Sequence, residues 1–414
     1  MDKIFHQSAV KSSIRAVSSK SEAHRLLICA ALGDRDCTLL CTDTNADIDA
    51  TEACLNALGA DIKRTEGGFS VHPIDKVTRG GQLDCHESGS TLRFLLPLAA
   101  ALDADCSFNM EGRLPSRPLS PLYELMRDNG VSLSPQGTSP LTVSGKLNSG
   151  RYSIAADVSS QYISGLLFAL AVAEGESTLT LEGKIESAPY IQMTLDALRL
   201  FGASIEYDEN KSSFKIIGRS RLSSPEQVAV GGDWSNAAFF LVAGAIGENS
   251  VTVSGLGQSS RQGDKEILSV LHKMGADIIR EGDSITVKPS HLHGIEIDAS
   301  NIPDLVPIIA VAASVAEGET KIFGAARLRL KESDRIESVC ATLSTLGADI
   351  HATDDGMIIH GKKRLLGGEV DSYNDHRIAM SASIASLVCE NAVKITRFEA
   401  INKSYPSFAE NFEI

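Results

Sequence analysis

The sequence predicts an α/β protein built from six copies of one unit, in which a strand, a buried helix, a second strand, an amphipathic helix and two more strands follow one another. The first observation behind this prediction is that five segments end like amphipathic helices, each with a glycine where a helix C-cap favours a left-handed residue. Each glycine follows the previous one by about 72 residues, a regularity that indicates an internal repeat. These glycines are Gly59, Gly130, Gly202, Gly275 and Gly347.

The second observation is a family of six helices that are apolar nearly all round, which is typical of buried helices. Short strands, such as Ser177–Leu181 and Thr320–Phe323, follow these helices. The buried helices are predicted at Arg25–Leu32, Leu92–Leu102, Tyr162–Ala173, Asn236–Ile246, Leu305–Ala316 and His376–Val388.

The residues that open the buried helices divide the chain into two halves, because serine opens the first three and aspartate the last three. Both residues are favoured N-caps, so each could be purely structural. A serine cap, however, leaves the positive end of the helix to an outside anion, whereas aspartates could supply carboxylates for proton transfer. We therefore hypothesise that three helices per half point at one interdomain cleft. The opening residues are Ser21, Ser90, Ser159, Asp233, Asp304 and Asp375.

The switch from serine to aspartate predicts two domains of three repeats each. The first would span residues 19–232, and the second residues 1–18 together with 233–414. Because the first copy starts abruptly, the residues before about Ser18 are expected to complete the sheet of the second domain. The chain would then cross between the domains twice, near Ser18–Lys20 and near Gly231–Asp233, which predicts a hinge that closes around a substrate.

Composition and charge exclude several classes of function. The 414 residues carry a formal net charge of −14, which argues against nucleic acid or an anionic membrane as the main partner. Eight cysteines without a CxxC pair indicate reduced core thiols. The sequence starts without the apolar run of a signal peptide and has no apolar stretch of about 18 residues, so we expect a cytoplasmic protein without a membrane span.

A charged segment, Arg327–Ile336, precedes an amphipathic helix of the repeat. It brings Lys331 and Arg335 next to Glu332. Cations beside a carboxylate at a helix entrance suit a phosphorylated substrate and a proton-transfer group. A solvated charge run would have the same pattern, so this alternative stays open.

Cations and small polar residues also mark the entrances of the first two buried helices. At the first, an anion would meet backbone amides, the Ser21 hydroxyl, Lys20 and Arg25. Gly89, before the second, would let a ligand approach the main chain. Arg117 lies on a proline-stiffened loop that suits a preorganised anion clamp. Plain capping and turn roles remain the structural alternatives.

Later helix entrances follow the same pattern. Ser159, Ser160 and Gln161 open a strongly apolar helix, where they must bond to a ligand or to one another. Asp304 precedes a wholly apolar helix, so it is either a cap or a base tuned by desolvation. Further candidates are Ser187 and Arg377 at such positions and Lys403 on a loop close to the C-terminus.

The sequence contains no P-loop, His/Cys metal cluster, nucleophile elbow or dinucleotide fingerprint. What remains is many cations and few carboxylates at helix entrances. An anionic substrate would need such a locally basic pocket against the acidic background of the chain. The pattern therefore fits a multiply anionic small molecule and acid–base chemistry, with no metal and no cofactor.

Five motifs in chain order give the sequence an end-to-end resemblance to the 5-enolpyruvylshikimate-3-phosphate synthase family. The resemblance implies two domains, each of three βαβαββ units in an inverse α/β barrel-like arrangement, that close on substrates. It also implies that the enolpyruvyl group of phosphoenolpyruvate passes to the 5-hydroxyl of shikimate 3-phosphate and that phosphate leaves. The motifs are Lys20–Arg25, Ser159–Gln161, Ile302–Asp304, Lys331–Arg335 and Asn374–Met380.

The resemblance also implies roles for individual residues. It treats Asp304 as acceptor of the 5-hydroxyl proton and places Glu332 as the second carboxylate, while Lys20 could share the proton transfer, so the division of roles stays open. For shikimate 3-phosphate, the implied residues are Lys20, Ser21, Arg25, Ser159, Ser160, Gln161, Ser187, Asp304 and Lys331. For phosphoenolpyruvate, they are Lys20, Gly89, Arg117, Gln161, Arg335, Arg377 and Lys403.

One departure and two alternatives accompany the resemblance. Where the family commonly reads Asn-Ala-Gly-Thr-Ala, this chain reads Glu87–Thr91, which adds a charge near the expected phosphoenolpyruvate site. The nearest alternative, a UDP-N-acetylglucosamine enolpyruvyl transferase, usually has a reactive cysteine that Arg113–Arg117 lacks. The other alternative is a non-catalytic repeat scaffold for proteins or RNA, against which the net charge and the clustered cations argue. We expect a monomer.

Overall fold

The structure is a computed structural model that describes residues 1–6 and 9–413. The chain folds into two compact α/β units. We call Ser18–Val230 the serine unit, and Met1–Val17 with Gly231–Ile414 the aspartate unit, after the residues that cap their buried helices. Within the described residues the named strands form six sheets, three in each unit, which confirms the predicted repeat fold.

Two strands of the aspartate unit come first in the chain, and the serine unit follows. The two strands are β1 (Lys3–Phe5) and β2 (Ser13–Arg15). The helices of the serine unit are α1 (Lys20–Ala31), α2 (Ala46–Leu58), α3 (Gly89–Ala101), α4 (Leu122–Asp128), α5 (Ser160–Val172) and α6 (Ala188–Leu200). Its strands are β3 (Cys37–Leu40), β4 (Asp61–Thr65), β5 (Gly68–His72), β6 (Gln82–Asp84), β7 (Cys106–Asn109), β8 (Ser132–Leu133), β9 (Leu141–Ser144), β10 (Arg151–Ala155), β11 (Gly175–Glu182), β12 (Ser204–Asp208), β13 (Ser213–Gly218) and β14 (Gln227–Ala229).

The rest of the aspartate unit repeats this alternation. Its helices are α7 (Trp234–Ile246), α8 (Ile267–Lys273), α9 (Val306–Ala313), α10 (Arg335–Thr345) and α11 (His376–Ala385). Its remaining strands are β15 (Val251–Ser254), β16 (Asp277–Glu281), β17 (Ser284–Lys288), β18 (Glu296–Asp298), β19 (Glu319–Phe323), β20 (Asp349–Ala352), β21 (Met357–His360), β22 (Gly368–Asp371) and β23 (Val393–Thr396). Short 3₁₀ helices include Leu114–Ser116, Pro303–Leu305, Ala326–Leu330, Phe398–Lys403 and Phe408–Asn411.

Three sheets show the repeat in its complete form, with spatial orders β6-β7-β9-β8, β10-β11-β13-β12 and β18-β19-β21-β20. In each, the first two strands are parallel and the other pairs are antiparallel. Two further sheets have the same order but take their first strand from a distant part of the chain. Strand β14 pairs with β3, and β2 pairs with β15 in the aspartate unit, as predicted for the residues before Ser18.

The sixth copy is shorter than the sequence predicted. Its sheet has the order β1-β23-β22, with β22 parallel to β23 and β1 antiparallel to it. The 3₁₀ helices Phe398–Lys403 and Phe408–Asn411 follow β23 where the other copies have a helix and a hairpin. The expectation of six complete copies is therefore wrong at the last one, because β1 occupies the position of the missing hairpin strand.

The helices that form the cores are those with apolar sequences. Helices α3, α5, α7, α9 and α11 are buried along nearly their whole length, as predicted, whereas α10 buries one face that includes Ile336 and Leu343. Each such large apolar side chain stabilises the fold by roughly 1.5–3 kcal/mol.

All eight cysteines are buried free thiols, which confirms the predicted core thiols. The five repeat glycines have φ between +73° and +116°, which confirms the predicted left-handed conformation. No helix in the described part of the chain is long and apolar enough to cross a membrane.

The caps of the buried helices differ from prediction at three positions. Ser19 caps α1 and Ser88 caps α3, so Ser21 and Ser90 lie inside the first turns instead. Asp304 caps nothing: it lies within the 3₁₀ helix Pro303–Leu305, because the proline moves the start of the turn upstream. The predicted caps that are confirmed are Ser159, Asp233 and Asp375.

Candidate active site

The aspartate unit gathers its predicted residues around one buried arginine. The side chain of Arg335 is 2% exposed, and its guanidinium contacts three carboxylates. Nη1 donates to Asp304 Oδ1 at 2.9 Å, and Nη2 donates to Glu332 Oε2 at 2.7 Å. Nε donates to Asp375 Oδ2 at 2.8 Å. A buried cation with this many charged partners has a fixed orientation, since a different orientation would break charged hydrogen bonds that water cannot replace.

Two helix caps put these side chains together. Asp334 accepts from the backbone N–H of Glu337 and so starts α10 at Arg335, directly after Lys331–Ser333. Asp375 caps α11 through Oδ1, which accepts from the backbone N–H of Arg377 at 2.9 Å. The same fully buried carboxylate holds Arg335, so one aspartate both starts a helix and orients a cation.

Asp304 faces three cations. Its carboxylate oxygens lie 2.9 Å from Arg335, 3.1 Å from Arg377 and 3.7 Å from Lys331. Burial on its own would raise the pKa of Asp304. The charges of Arg377, Lys331 and Arg335 outweigh burial and hold the pKa of this carboxyl well below its usual value. In this state Asp304 is an ionised carboxylate with little basicity.

Arg377 and Lys403 extend the cluster toward the start of α11. Arg377 donates from Nη1 to the Asp304 carbonyl at 3.0 Å and from Nη2 to Ser235 Oγ at 2.8 Å. Lys403 Nζ donates to the carbonyl of Asn374, the residue before the Asp375 cap, at 2.7 Å. The predicted residues of this unit, Asp304, Lys331, Glu332, Arg335, Arg377 and Lys403, therefore form one neighbourhood.

In the serine unit, the predicted residues Arg117 and Gln161 lie around Gly89 together with Arg93, which was not among the predicted site residues. A Cβ atom at this position would lie 2.4 Å from Arg93 Nη1 and 2.8 Å from Arg117 Nη1. Gln161 joins the group, because its Oε1 accepts from Arg93 at 3.3 Å and its Nε2 donates to Ser90 Oγ at 2.9 Å. The guanidinium groups of two arginines beside the main chain of a glycine can bind a small anion. Arg113, on the same loop as Arg117, is exposed.

Lys20 and Arg25 lie in the first half of α1 but in different environments. Lys20 Nζ contacts Asp47 Oδ2 at 2.8 Å, and both side chains are 15% exposed. Arg25 is buried: it donates to Thr194 Oγ1 and to the Ser21 and Tyr190 carbonyls. Burial lowers the pKa of Arg25 to about 10, which leaves it charged near neutral pH.

The remaining predicted serines lie at helix starts of the serine unit. Ser159 Oγ accepts from the backbone N–H of Gln161 at 3.3 Å, and Ser160 begins α5. Ser187 precedes α6 with a left-handed φ of 53° and is 2% exposed. Its carbonyl accepts from the backbone N–H of Tyr190, the residue that binds Arg25.

Glu87, the charge that departs from the family pattern, lies beside a glycine. Its Oε2 is 2.5 Å from the place where a Cβ at Gly112 would stand.

A separate exposed group, Asp84, His86 and Glu111, has ligand atoms within 4.8 Å of one another. His86 Nδ1 lies 3.6 Å from Asp84 Oδ1 and 3.4 Å from Glu111 Oε1, which are ion-pair distances at a solvated surface.

Sequence reasoning did not foresee the partners that orient these residues. Asp47, Thr194 and Ser235 contact Lys20, Arg25 and Arg377 through pairings between residues far apart in the chain. Asp375 was expected to be a cap, but not to bind Arg335.

Comparisons with known proteins agree along the whole chain. The family model described as EPSP synthase (3-phosphoshikimate 1-carboxyvinyltransferase) matches residues 4–412. A 3-phosphoshikimate 1-carboxyvinyltransferase of Clostridium novyi is 42% identical, over 98% of this chain and 95% of that protein. One from Clostridium acetobutylicum is also 42% identical, over 96% of this chain and 94% of the relative.

Solved structures give the same result for the fold. EPSP synthase from Acinetobacter baumannii superposes with a TM-score of 0.80 at 28% identity, over 99% of this chain and 97% of that chain. The enolpyruvyl transferase NikO from Streptomyces tendae superposes with a TM-score of 0.78 over 99% of this chain and 96% of that chain. At 18% identity, this second similarity concerns the fold alone.

Proposed function

The chain belongs to the EPSP synthase family, and from that premise we propose which of its residues carry the reaction. It is a 3-phosphoshikimate 1-carboxyvinyltransferase, which transfers the enolpyruvyl group of phosphoenolpyruvate to the 5-hydroxyl of shikimate 3-phosphate and releases phosphate. The reaction belongs to the shikimate pathway of aromatic biosynthesis. The observation that best supports the assignment of residues is the buried cluster in which Arg335 contacts Asp304 and Glu332.

Phosphoenolpyruvate carries a phosphate and a carboxylate, so its binding needs several cations. We assign it to both groups of cations, and Gly89 belongs to the site because the absence of a Cβ lets the guanidinium groups of Arg93 and Arg117 approach its main chain. The proposed residues in the aspartate unit are Arg335, Arg377 and Lys403. Those in the serine unit are Lys20, Gly89, Arg117 and Gln161.

Shikimate 3-phosphate adds a phosphate, a carboxylate and hydroxyl groups, which suits serine hydroxyls and helix N-termini. Arg25 uses three of its donors within the protein, so it contributes its charge and its remaining N–H groups. The proposed residues are Lys20, Ser21, Arg25, Ser159, Ser160, Gln161, Ser187, Asp304 and Lys331.

The 5-hydroxyl must lose a proton, and Asp304 is the proposed acceptor. The three cations around Asp304 make it a weak base, because they favour its ionised form. Phosphoenolpyruvate would compete for Arg335 and Arg377, since its anionic groups suit the same guanidinium donors. Binding of this substrate should therefore raise the pKa of Asp304 and make the carboxylate basic when the hydroxyl is present.

The methylene carbon of phosphoenolpyruvate must gain a proton, and Glu332 and Lys20 are the proposed donors. Glu332 contacts Arg335 at 2.7 Å, which favours its ionised form, so it can act as an acid only after that contact weakens. Lys20 Nζ carries protons but is paired with Asp47. Loss of the Arg335 contact on substrate binding would favour Glu332 as the donor.

Phosphate release tests the substrate assignment directly. Phosphoenolpyruvate is incubated with the protein and either shikimate 3-phosphate or UDP-N-acetylglucosamine, and inorganic phosphate is measured. We expect release with shikimate 3-phosphate only. Release with the nucleotide sugar only would favour the alternative transferase, and release with neither would contradict both.

We further propose that the two crossings of the chain, at Val17–Ser18 and Val230–Gly231, act as a hinge, because the residues assigned to each substrate come from both units. Small-angle scattering should show a smaller radius of gyration when shikimate 3-phosphate is added. An unchanged radius would argue against closure. The same solutions test the expected monomer, whose mass would be 44.0 kDa.

A further inference from the structure

A chain of buried hydrogen bonds runs through the serine unit beneath the proposed site. His24 Nδ1 lies 2.7 Å from Thr51 Oγ1, and Thr51 Oγ1 lies 2.7 Å from Thr91 Oγ1. The Thr91 hydroxyl donates to Ser88 Oγ at 2.7 Å. None of the four side chains belongs to a residue that is more than 1% exposed. Water therefore cannot replace these bonds when one of them is lost.

The direction of each hydrogen bond follows from the number of protons available. Each hydroxyl has one proton, and Thr91 donates its own toward Ser88 Oγ and, at 3.4 Å, the Asp47 carbonyl, so Thr51 donates to Thr91. Thr51 must then accept from His24 Nδ1–H. Burial, followed by the charges of Lys20 and Arg25, holds the pKa of His24 well below its usual value, so the imidazole is neutral. The chain of bonds thus has one consistent polarity.

The two ends of this hydrogen-bonded chain lie next to proposed ligand residues. His24 is one helical turn after Lys20 in α1. Ser88 is the N-cap of α3 and directly precedes Gly89. Thr51 is in α2, and through its two partners it joins the first turns of α1 and α3.

A movement of the first turn of α3 would change the geometry of the proposed anion site. Ser88 Oγ also accepts from the backbone N–H of Thr91 at 3.3 Å, so the hydrogen-bonded chain ends on the cap itself. The Cα of Gly89 stands close to the guanidinium groups of Arg93 and Arg117. A small rotation of this turn would change the space that the anion and both guanidinium groups share.

We propose that Thr51 is a positioning residue for phosphoenolpyruvate, which acts by fixing the start of α3 relative to α1. This inference rests on the proposed function, because it takes Gly89 and Lys20 as parts of the phosphoenolpyruvate site. Thr51 belongs to none of the ligand motifs, and its hydroxyl is committed to His24 and Thr91.

The test compares Thr51→Val, which keeps the shape but removes the hydroxyl, with Thr51→Ser, which keeps the hydroxyl. We expect Thr51→Val to raise the KM for phosphoenolpyruvate about 3–10-fold, the effect of about one buried hydrogen bond. The KM for shikimate 3-phosphate should change less than about twofold, and Thr51→Ser should behave like the wild type. A lower kcat with an unchanged KM for phosphoenolpyruvate would overturn the proposal, because loss of folded protein alone gives that result.

A second variant keeps the test valid if Thr51→Val does not fold. Thr91→Val breaks the same hydrogen-bonded chain and should raise the same KM. Where both variants fold, the double variant should show less than the product of the two single effects, because either change already interrupts the chain. If the two substitutions changed the KM for phosphoenolpyruvate independently, the hydrogen bonds would not act as one connected chain.

Equilibrium binding separates this inference from the proposed function. The affinity for phosphoenolpyruvate is measured with and without shikimate 3-phosphate, in the wild type, Thr51→Val and Thr51→Ser. Absence of turnover in the wild type would contradict the proposed function, while a loss of affinity confined to Thr51→Val would still support the positioning role. Equal affinities in all three proteins would overturn that role.

Discussion

The serine unit and the aspartate unit use the same repeat but give its helix entrances different electrostatics. In the aspartate unit, Arg335 binds three carboxylates directly and is almost fully buried. In the serine unit, Arg93 donates to carbonyl and amide oxygens instead, and hydroxyl groups cap the neighbouring helices. The same repeat thus gives Arg335 three carboxylate partners and gives Arg93 carbonyl and amide acceptors. In the function proposed above, the carboxylates around Arg335 handle protons, whereas the residues around Gly89 bind an anion.

The largest expected effect comes from removing a carboxylate of the aspartate unit. Asp304→Ala or Glu332→Ala should lower kcat about 10²–10⁴-fold while the protein stays folded, the range for a lost general acid or base. Steady-state kinetics with circular dichroism measures both. Glu337→Gln is the matched control, because Glu337 lies in α10 and pairs with the partly exposed Arg329 instead of Arg335. Normal turnover in both alanine variants would remove these carboxylates from the mechanism.

The next prediction concerns stability and separates buried from exposed pairs. Asp375→Asn removes the charge that holds Arg335 and should lower the free energy of unfolding by about 3–5 kcal/mol, because a buried cation loses a partner. Denaturant unfolding measures the difference. Asp371→Asn, at the exposed pair with Arg397, should cost about 0–1 kcal/mol. If both variants lost the same free energy of unfolding, the buried ion pair would stabilise the fold no more than the exposed one.

A smaller effect is expected in the serine unit, where no charge pair is broken. Gly89→Ala places a Cβ against Arg93 and Arg117, and the displaced guanidinium groups should raise the KM for phosphoenolpyruvate roughly tenfold. The control Gly257→Ala has nothing within 4 Å of the added atom. An unchanged KM in Gly89→Ala would mean that both arginines can move aside. The site around Gly89 would then tolerate substitution better than the Arg335 cluster of the aspartate unit.

The smallest effect is a dependence of stability on pH. Asp304 has a lower pKa in the folded protein than in the unfolded chain, so its contribution is complete above the unfolded value of about 3.9 and disappears as pH falls through the folded value. The stability difference between the wild type and Asp304→Asn should therefore narrow below about pH 4. Urea unfolding from pH 7 to pH 3 measures it. A difference that widens on acidification would contradict a depressed pKa.

The sequence allowed the repeat to be predicted because its signals are local. Each glycine after an amphipathic helix and each wholly apolar helix can be recognised within about a dozen residues. The caps of α1 and α3 were harder, because Ser19 and Ser21 have equal preference for the position and tertiary packing selected the first.

Other features depend on residues far apart in the chain and leave no local pattern. Arg335 and Asp375 are 40 residues apart, and nothing near either residue indicates that they pair. The shorter sixth copy could not be predicted, because it depends on the pairing of β1 with β23 at opposite ends of the described chain. Asp304 was expected to cap a helix because its sequence suits that role, and only the fold places three cations around it.

The pairing of β1 and β2 with strands that come late in the chain sets an order for synthesis on the ribosome. The serine unit is complete once β14 has emerged, and it can then fold as one body. The aspartate unit must wait, because β1 and β2 leave the ribosome first and their partners β23 and β15 come only after the whole serine unit. Closing so long a loop is less costly once its interior is already compact. A ribosome-bound chain stopped after β14 should therefore resist proteolysis within the serine unit while its first residues remain accessible.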